Sequence, residues 1–427
     1  MTNSLQRLKE GLQFAALVAT WLAARVVLKR IEGSRPPGAG RARLLLSCDP
    51  FTLVGSRGDA AMLQATVESV VGDLRVAVHG LKAKQIAHAM GLVTEQLAFD
   101  WLLPFRLARL LRRLAPVQVL VMGADVMDGH YSAVYSIRLL IGADLAARAG
   151  ADARFLGFSL NDRIHPAVAW AFRRLSSDVR VQLRDPVSLE RFERLGTACQ
   201  ARLVADSAFL LRPTSIVGDG VSQGENELRR AVDWVGEQRR LGRLVIGVNL
   251  HGMLFTGARR QEQLHTLLSN VASAMQGAMD VQAVSWVLIP HDDREKAGDL
   301  AATAALRAML GDSVLAHTLV LTAAPPAADA KALAGQLDGV ITARMHLAIA
   351  TLGMGRPVLV LTYQSKFEGL LRHFSLSDEW KLEAAQTQDA TAVHNAILRF
   401  VSQTEPLARQ VASRLPAVQA LAAATFE

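Results

Sequence analysis

Arg344 and His346 stand directly before an apolar, helix-length run that closes at Gly355-Arg356-Pro357. If that run is a buried helix, its first turn presents free N–H groups and the positive end of the helix dipole, which favour an anion. The competing reading pairs Arg344 with a structural carboxylate and makes His346 a satisfied core histidine. Tyr363 and Lys366, a hydroxyl and an ammonium three residues apart, follow the next apolar run and strengthen the anion reading. In "LIPHDD", His291 precedes Asp292 and Asp293, which serve either as substrate or metal contacts or as the cap of the next helix. Arg184 ends another apolar run and is followed by Asp185 and, in a new helix, Ser188; Asp185 reads as a cap and Arg184 as a further cation for a ligand. Ser159 and Asn161 end the run "ARFLGFSL", and Asp59 opens a helix after the glycine-containing turn "TLVGSRGD".

Several chemistries find no support. There is no Gly-x-Gly-x-x-Gly and no P-loop Lys-Ser/Thr, so dinucleotide and NTP binding lack a fingerprint. "GFSLN" departs from the nucleophile elbow where Asn161 replaces the final glycine. No His-Glu-x-x-His, paired CxxC or acidic triad suggests a metal, and no cofactor is expected. Cys48 and Cys199 are too far apart in sequence for a metal motif and too few for a disulfide framework, which fits a reducing compartment. The net charge of +8 implies an anionic partner. Nucleic acid is disfavoured: the cluster Arg106, Arg109, Arg112 and Arg113 lacks interleaved aromatics, and aromatic residues are only 5% of the chain. A solvated or membrane-facing basic helix is the plainer reading.

These residues need elements to hold them. With 427 residues, 51% of them hydrophobic, the chain has the material for two domains with cores. Short apolar runs alternate with helix-length segments from "RLLLSC" through "LRVAVHG", "VQVLVMG", "ARFLGFSL" and "VRVQLRD". A second series follows: "RLVIGVNL", "VSWVLIP", "TLVLT", "GVITAR" and "PVLVLTY". The alternation predicts parallel α/β units. The polar stretch 212–227 separates the series, giving Rossmann-like domains over 41–215 and 216–390, with a helical tail over 391–427. In such sheets ligands bind beyond the carboxyl ends of the strands, and in both halves those ends carry the polar residues named above. Two α/β domains facing a cleft are therefore expected. Residues 1–40 comprise an apolar or amphipathic helix, "GLQFAALVATWLAARVVLK", flanked by Arg7, Lys9, Lys29 and Arg30, and a Gly/Pro-rich linker. Its basic continuation and lack of a small-residue cleavage pattern argue against a signal peptide. Two readings stay open for it: an interfacial helix on an anionic membrane, or a helix docked on its own protein.

"DGVITARMHLAIATLGMGRPVLVLTYQSKFEGLLRHFSL" resembles the C-terminal signature of polysaccharide pyruvyl transferases, with Arg344, His346, Pro357, Tyr363, Lys366 and Gly369 in the family's order. Fainter echoes are "SRGDAAMLQA", "RDPVSLERFERLG", "ADSAF" and "LIPHDD", which extend the likeness from about residue 44 to 380. The sequence departs at Ser56, where the family usually has Asn, and at "VMGADVMDG", where a glycine run is common. The resemblance implies a glycosyltransferase-B-like fold and a phosphoenolpyruvate donor whose pyruvyl group goes to sugar hydroxyls of a cell-surface polysaccharide or its lipid-linked precursor. On that reading Arg344, Lys366 and Arg184 clamp the donor's carboxylate and phosphate. Tyr363, Ser159 and Asn161 are further substrate contacts, and His346 moves the proton, with Asp59 and His291 as helpers. The reaction would be cytoplasmic, or peripheral at the inner face of the cell membrane. Two rivals remain at this stage: a nucleotide-sugar glycosyltransferase on the same fold, and a non-catalytic scaffold of polysaccharide assembly.

Overall fold

The apolar runs become strands because helices cover both faces of each sheet, so that β-strands such as "VSWVL" and "VLVLT" are buried at every residue. The computed structural model of the protein describes residues 2–29, 42–53, 56–215, 223–292, 298–362 and 367–427. The chain divides into two units. One comprises Met1–Gly55, Met62–Ser207 and Leu421–Glu427; the other comprises Ser56–Ala61 and Ala208–Ala420. Of the two expected Gly-rich connections, residues 30–41 and 216–222 lie outside the described residues.

The first unit opens with α1 (Thr2–Lys29), β1 (Arg43–Leu46), α2 (Arg57–Ser69), β2 (Leu74–Val78), α3 (Leu81–Ala89) and β3 (Val93–Gln96). It continues through α4 (Leu103–Leu114), β4 (Gln118–Met122), α5 (Ala133–Arg148) and β5 (Asp152–Leu156). α6 (Pro166–Phe172), β6 (Arg180–Leu183), α7 (Pro186–Glu193) and β7 (Gln200–Leu203) complete it. The sheet order is β3-β2-β1-β4-β5-β6-β7, parallel throughout. The first turn of α2 belongs to the second unit and its remainder to the first.

The second unit runs α8 (Gln223–Arg240), β8 (Leu244–Asn249), α9 (Arg260–Val281), β9 (Val284–Leu288), α10 (Asp299–Met309) and α11 (Asp312–Leu315). Next come β10 (Thr318–Val320), α12 (Ala327–Gln336), β11 (Gly339–Thr342) and α13 (Met345–Leu352). β12 (Val358–Thr362), α14 (Phe367–His373), β13 (Lys381–Glu383) and α15 (Ala390–Ala423) follow. Its sheet is also wholly parallel, in the order β10-β9-β8-β11-β12-β13. In each sheet the winding reverses at one central pair, β1 beside β4 and β8 beside β11, and open α/β sheets take their ligands at such a switch point.

α1 answers one of the open readings. Leu17, Trp21, Ala24 and Leu28 on one face are buried in the first unit's core, against α4 and α5. Thr20 Oγ1 donates to the Trp101 carbonyl at 2.9 Å, and Trp21 Nε1 and Arg25 Nε each donate to Asp144 Oδ2 at 2.8 Å. The helix is docked on its own domain, yet Gly11–Leu28 is also long and apolar enough to cross a membrane by length and composition.

Candidate active site

At the switch point of the second sheet, β8 and β11 end side by side with Asn249 opposite Thr342. Asn249 ties the strand ends together: Nδ2 donates to the Ile289 carbonyl at 2.9 Å and to Asp299 Oδ2 at 3.1 Å, and Oδ1 accepts from Thr342 Oγ1 at 3.0 Å. Asp299, the first residue of α10, is fully buried. It also accepts from the backbone N–H of His291 at 3.1 Å and from Arg344 Nε at 3.2 Å to each carboxylate oxygen. Arg344 Nη2 donates to Asp299 as well, and Asp292 lies 3.7 Å from Arg344 Nη1.

A buried carboxylate is stable only when its charge is matched, and Arg344 supplies the match. Of the two readings open for Arg344, the structure shows the ion pair, with Asp299 and Asp292 both beside its guanidinium. What it fixes is the start of α13, where it occupies the N-cap position without a side-chain cap. The helix behind it is buried continuously from Leu347 to Leu352, so its first-turn N–H groups form the polar end of an otherwise apolar rod.

Two further histidines follow the ends of β8 and β9. His251 Nε2 lies 3.0 Å from the Ala343 carbonyl while its Nδ1 accepts from the Met253 N–H at 3.1 Å, so its partners define a neutral tautomer. Burial, reinforced by the charge of Arg344, pushes its pKa down to about 4. His291 is buried with neither ring nitrogen hydrogen-bonded among the described residues. Burial, opposed by Asp299 and aided by Arg344, pushes its pKa down to about 3, so at neutral pH it is an uncharged imidazole and a feeble base.

His346 is half-buried in the first turn of α13. A Cβ at Gly58 would fall 2.1 Å from its Nδ1, so the first turn of α2 lies flush against the imidazole and only glycine fits there. That turn is held by a reciprocal cap. The Asp59 N–H donates to Ser56 Oγ at 3.1 Å, and Ser56 Oγ donates to Asp59 Oδ2 at 2.9 Å. Arg57 Nη2 adds a bond to the Ala324 carbonyl at 3.0 Å. Asp59, expected as a helper in proton transfer, is thus engaged in capping α2.

His346, His291 and Lys331 line one cavity together with Ala61 and Ala350. Lys331, buried on α12, donates through Nζ to the carbonyls of Phe209 at 2.8 Å and Ala208 at 3.3 Å.

The remaining expected residues fall elsewhere. In the first unit, Arg184 donates from Nε to Ser159 Oγ at 2.7 Å and from Nη1 to Asp206 at 2.7 Å. Ser159 in turn donates to Asp185 at 2.9 Å, whose other oxygen caps α7 through the Ser188 N–H at 2.7 Å. Asn161 donates to Asp128. These groups form a buried polar network at the ends of β5 and β6. Tyr363, Lys366 and Asp293 lie outside the described residues. The structure therefore brings together His291, Arg344 and His346, and groups Arg184 and Ser159 separately, with Asn161 at the same strand end.

Asp299, Lys331 and Gly58 were missed as site residues. Lys331 left a readable trace as a lone cation in "AADAKALAGQ", where every residue from Ala327 to Ala334 is buried. Asp299 left none, since an aspartate opening a helix reads as a solvated cap.

Two wholly parallel sheets, each with a switch point, define a two-domain α/β protein of glycosyltransferase-B-like fold. Solved structures share it. An S. aureus MnaA–UDP co-structure has TM-score 0.56 at 13% identity, covering 90% of this chain and 94% of its own. A UDP-N-acetylglucosamine 2-epimerase has TM-score 0.54 at 12% identity, covering 91% and 95%. A glycosyltransferase from Rickettsia africae ESF-5 has TM-score 0.52 at 10% identity, covering 90% and 96%. At these identities the likeness is one of fold. No curated protein matches the chain. The sequence model of polysaccharide pyruvyl transferase matches residues 96–365, and the chain belongs to that family.

Proposed function

We propose that this transferase moves the pyruvyl group of phosphoenolpyruvate onto two hydroxyls of a sugar, in a polysaccharide or its lipid-linked precursor, as a ketal. The observation that carries the reading is the grouping of His291, His346 and Lys331 in the second unit, around a small cavity at the start of α13, where the N-cap side chain makes no cap. A donor with a carboxylate and a phosphate suits an ammonium and the positive end of a helix, which need no nucleotide pocket. Lys366 and Tyr363 enter the reading from sequence alone, and Arg184 with Ser159 and Asn161 as a second polar group.

In the balanced reaction a proton adds to the donor's methylene carbon, making a methyl group. Two sugar oxygens bond to the adjacent carbon, its bond to the phosphate oxygen breaks, and inorganic phosphate leaves with the other hydroxyl proton. His346 is the proton carrier in this scheme, since His291 is held neutral with a pKa near 3. Phosphoenolpyruvate is a cytoplasmic metabolite, which assigns the reaction to that side of the membrane.

Thermal unfolding with each candidate donor tests the reading. Phosphoenolpyruvate at about 100 times its dissociation constant should stabilise the chain by roughly 2.7 kcal/mol. UDP-sugars should not, and phosphate release should require a saccharide acceptor. Stabilisation by UDP-sugars alone would make the protein a glycosyltransferase. Response to neither donor, with acceptor present, would favour a scaffold.

A further inference from the structure

We infer that α1 and α4 together form a docking surface for an anionic lipid bilayer, with α1 lying along the interface and not crossing it. The face of α1 opposite its buried side is apolar and, among the described residues, exposed. Leu12 is 65% exposed, Leu22 45%, Val26 55% and Val27 40%, and the exposed positions between them are mainly alanines. Three- and four-residue spacing places these positions on one stripe. An apolar stripe this long on a helix already docked by its other side needs an occupant.

α4 packs beside α1 and indicates what that occupant is. Its core side is apolar, and its outer side carries Arg106, Arg109, Arg112 and Arg113, all exposed. Arg106 and Arg113 pair with Asp100 and Glu95, whereas Arg109 and Arg112 have no ion-pair partner among the described residues. Trp101, 54% exposed, precedes α4, and its carbonyl is the one that Thr20 of α1 holds. An apolar stripe, a half-exposed tryptophan and unpaired arginines on adjoining helices match an acyl boundary, its interfacial belt and anionic headgroups.

Crossing the membrane would tear α1 from its domain. Asp144 is fully buried and is matched by Trp21 and Arg25 of α1 and by Arg148, so withdrawing α1 would strip a buried carboxylate of two partners. Lying flat keeps those bonds and still buries the stripe.

Vesicle sedimentation of the full chain tests this, using phosphatidylcholine alone and phosphatidylcholine with phosphatidylglycerol. The chain should sediment with the anionic vesicles and be released by salt. Leu22→Asp with Val26→Asp should abolish partitioning, and Arg109→Glu with Arg112→Glu should weaken it by roughly tenfold or more. All four positions are exposed, so melting curves should stay near wild type and certify folded protein. As a second measurement, brominated lipid should quench tryptophan fluorescence, with the quenching sharply reduced in Trp101→Phe. The inference is overturned if the chain ignores anionic vesicles or if the stripe variants bind like wild type. A dimer in solution that Val26→Asp dissociates would also overturn it, assigning the stripe to a second copy. Phosphate release on a soluble acceptor should be unchanged in these variants, so this inference and the donor assignment stand or fall separately.

Discussion

Gly58 lacks a side chain in the place where the ring of His346 lies, so a single methyl group there tests what that imidazole does. The distance from an added Cβ to Nδ1 would be 2.1 Å, and the ring would have to rotate or the first turn of α2 would have to lift. Gly58→Ala should cut turnover on the order of 100-fold, as a misplacement of about 1 Å at a proton-transfer group does. Melting temperature should fall only slightly. Steady-state kinetics beside a melting curve check this, and wild-type turnover would remove His346 from the chemistry. The two buried histidines give a separate, pH-dependent signature. Their folded pKa values, about 4 for His251 and about 3 for His291, lie below the ordinary 6.5, so the unfolded chain binds protons more readily between those limits. Stability should therefore be fully present above about pH 6.5 and decline as the pH falls towards 4. Melting temperatures across that range should show the slope, and His251→Gln with His291→Gln should flatten it. An unchanged slope in the double variant would place the titration elsewhere.

At the scale of elements, what could be read from sequence divides along the sheets. The ten apolar runs became β1, β2, β4, β5, β6 and β8 through β12; the interior strands are apolar because they are covered on both faces, and β10, an edge strand, was readable because "TLV" stayed apolar. β3, β7 and β13 escaped: "VTEQ", "QARL" and "KLE" are short, polar and partly exposed, and they form sheet edges. Edge strands carry charge to avoid pairing with other chains, and this erases their apolar signature. The candidate site divides in a similar way. His291, Arg344 and His346 were legible because strand ends in parallel sheets are where ligands bind. Asp299 was not, since its meaning comes from Asn249, His291 and Arg344, which only the fold brings to it. Arg344 was legible as a cation at a helix mouth with two readings open, an anion contact or a structural ion pair, and the carboxylate that pairs with it lies 45 residues away, where sequence gives no sign of it. α1 carried two readings in one sequence, since both its buried face and its exposed face are apolar.

At the scale of the molecule, the chain returns to its first unit to finish. α15 belongs to the second unit as far as Ala420, and Leu421–Glu427 belong to the first. There Thr425 is fully buried, and its carbonyl accepts from Gln182 Nε2 at 3.2 Å and from Arg154 Nη1 at 3.4 Å. Arg202 donates to the carbonyl of Ala424. Gln182 and Arg154 are themselves buried side chains on neighbouring strands, β6 and β5, so these backbone carbonyls are structural acceptors for the first sheet. Deleting 421–427 would leave the amide of Gln182 and part of the Arg154 guanidinium without those acceptors, and a buried donor without a partner costs about 1–3 kcal/mol. The truncated chain should accordingly lose on the order of 2–4 kcal/mol from the first unit alone. Hydrogen exchange read by mass spectrometry locates the loss: peptides covering β5 to β7 should exchange faster, and peptides covering β8 to β12 should keep their protection. Uniform loss across both sheets would mean that the terminal segment supports the fold as a whole, and unchanged exchange in β5 to β7 would mean that water replaces its carbonyls at no cost.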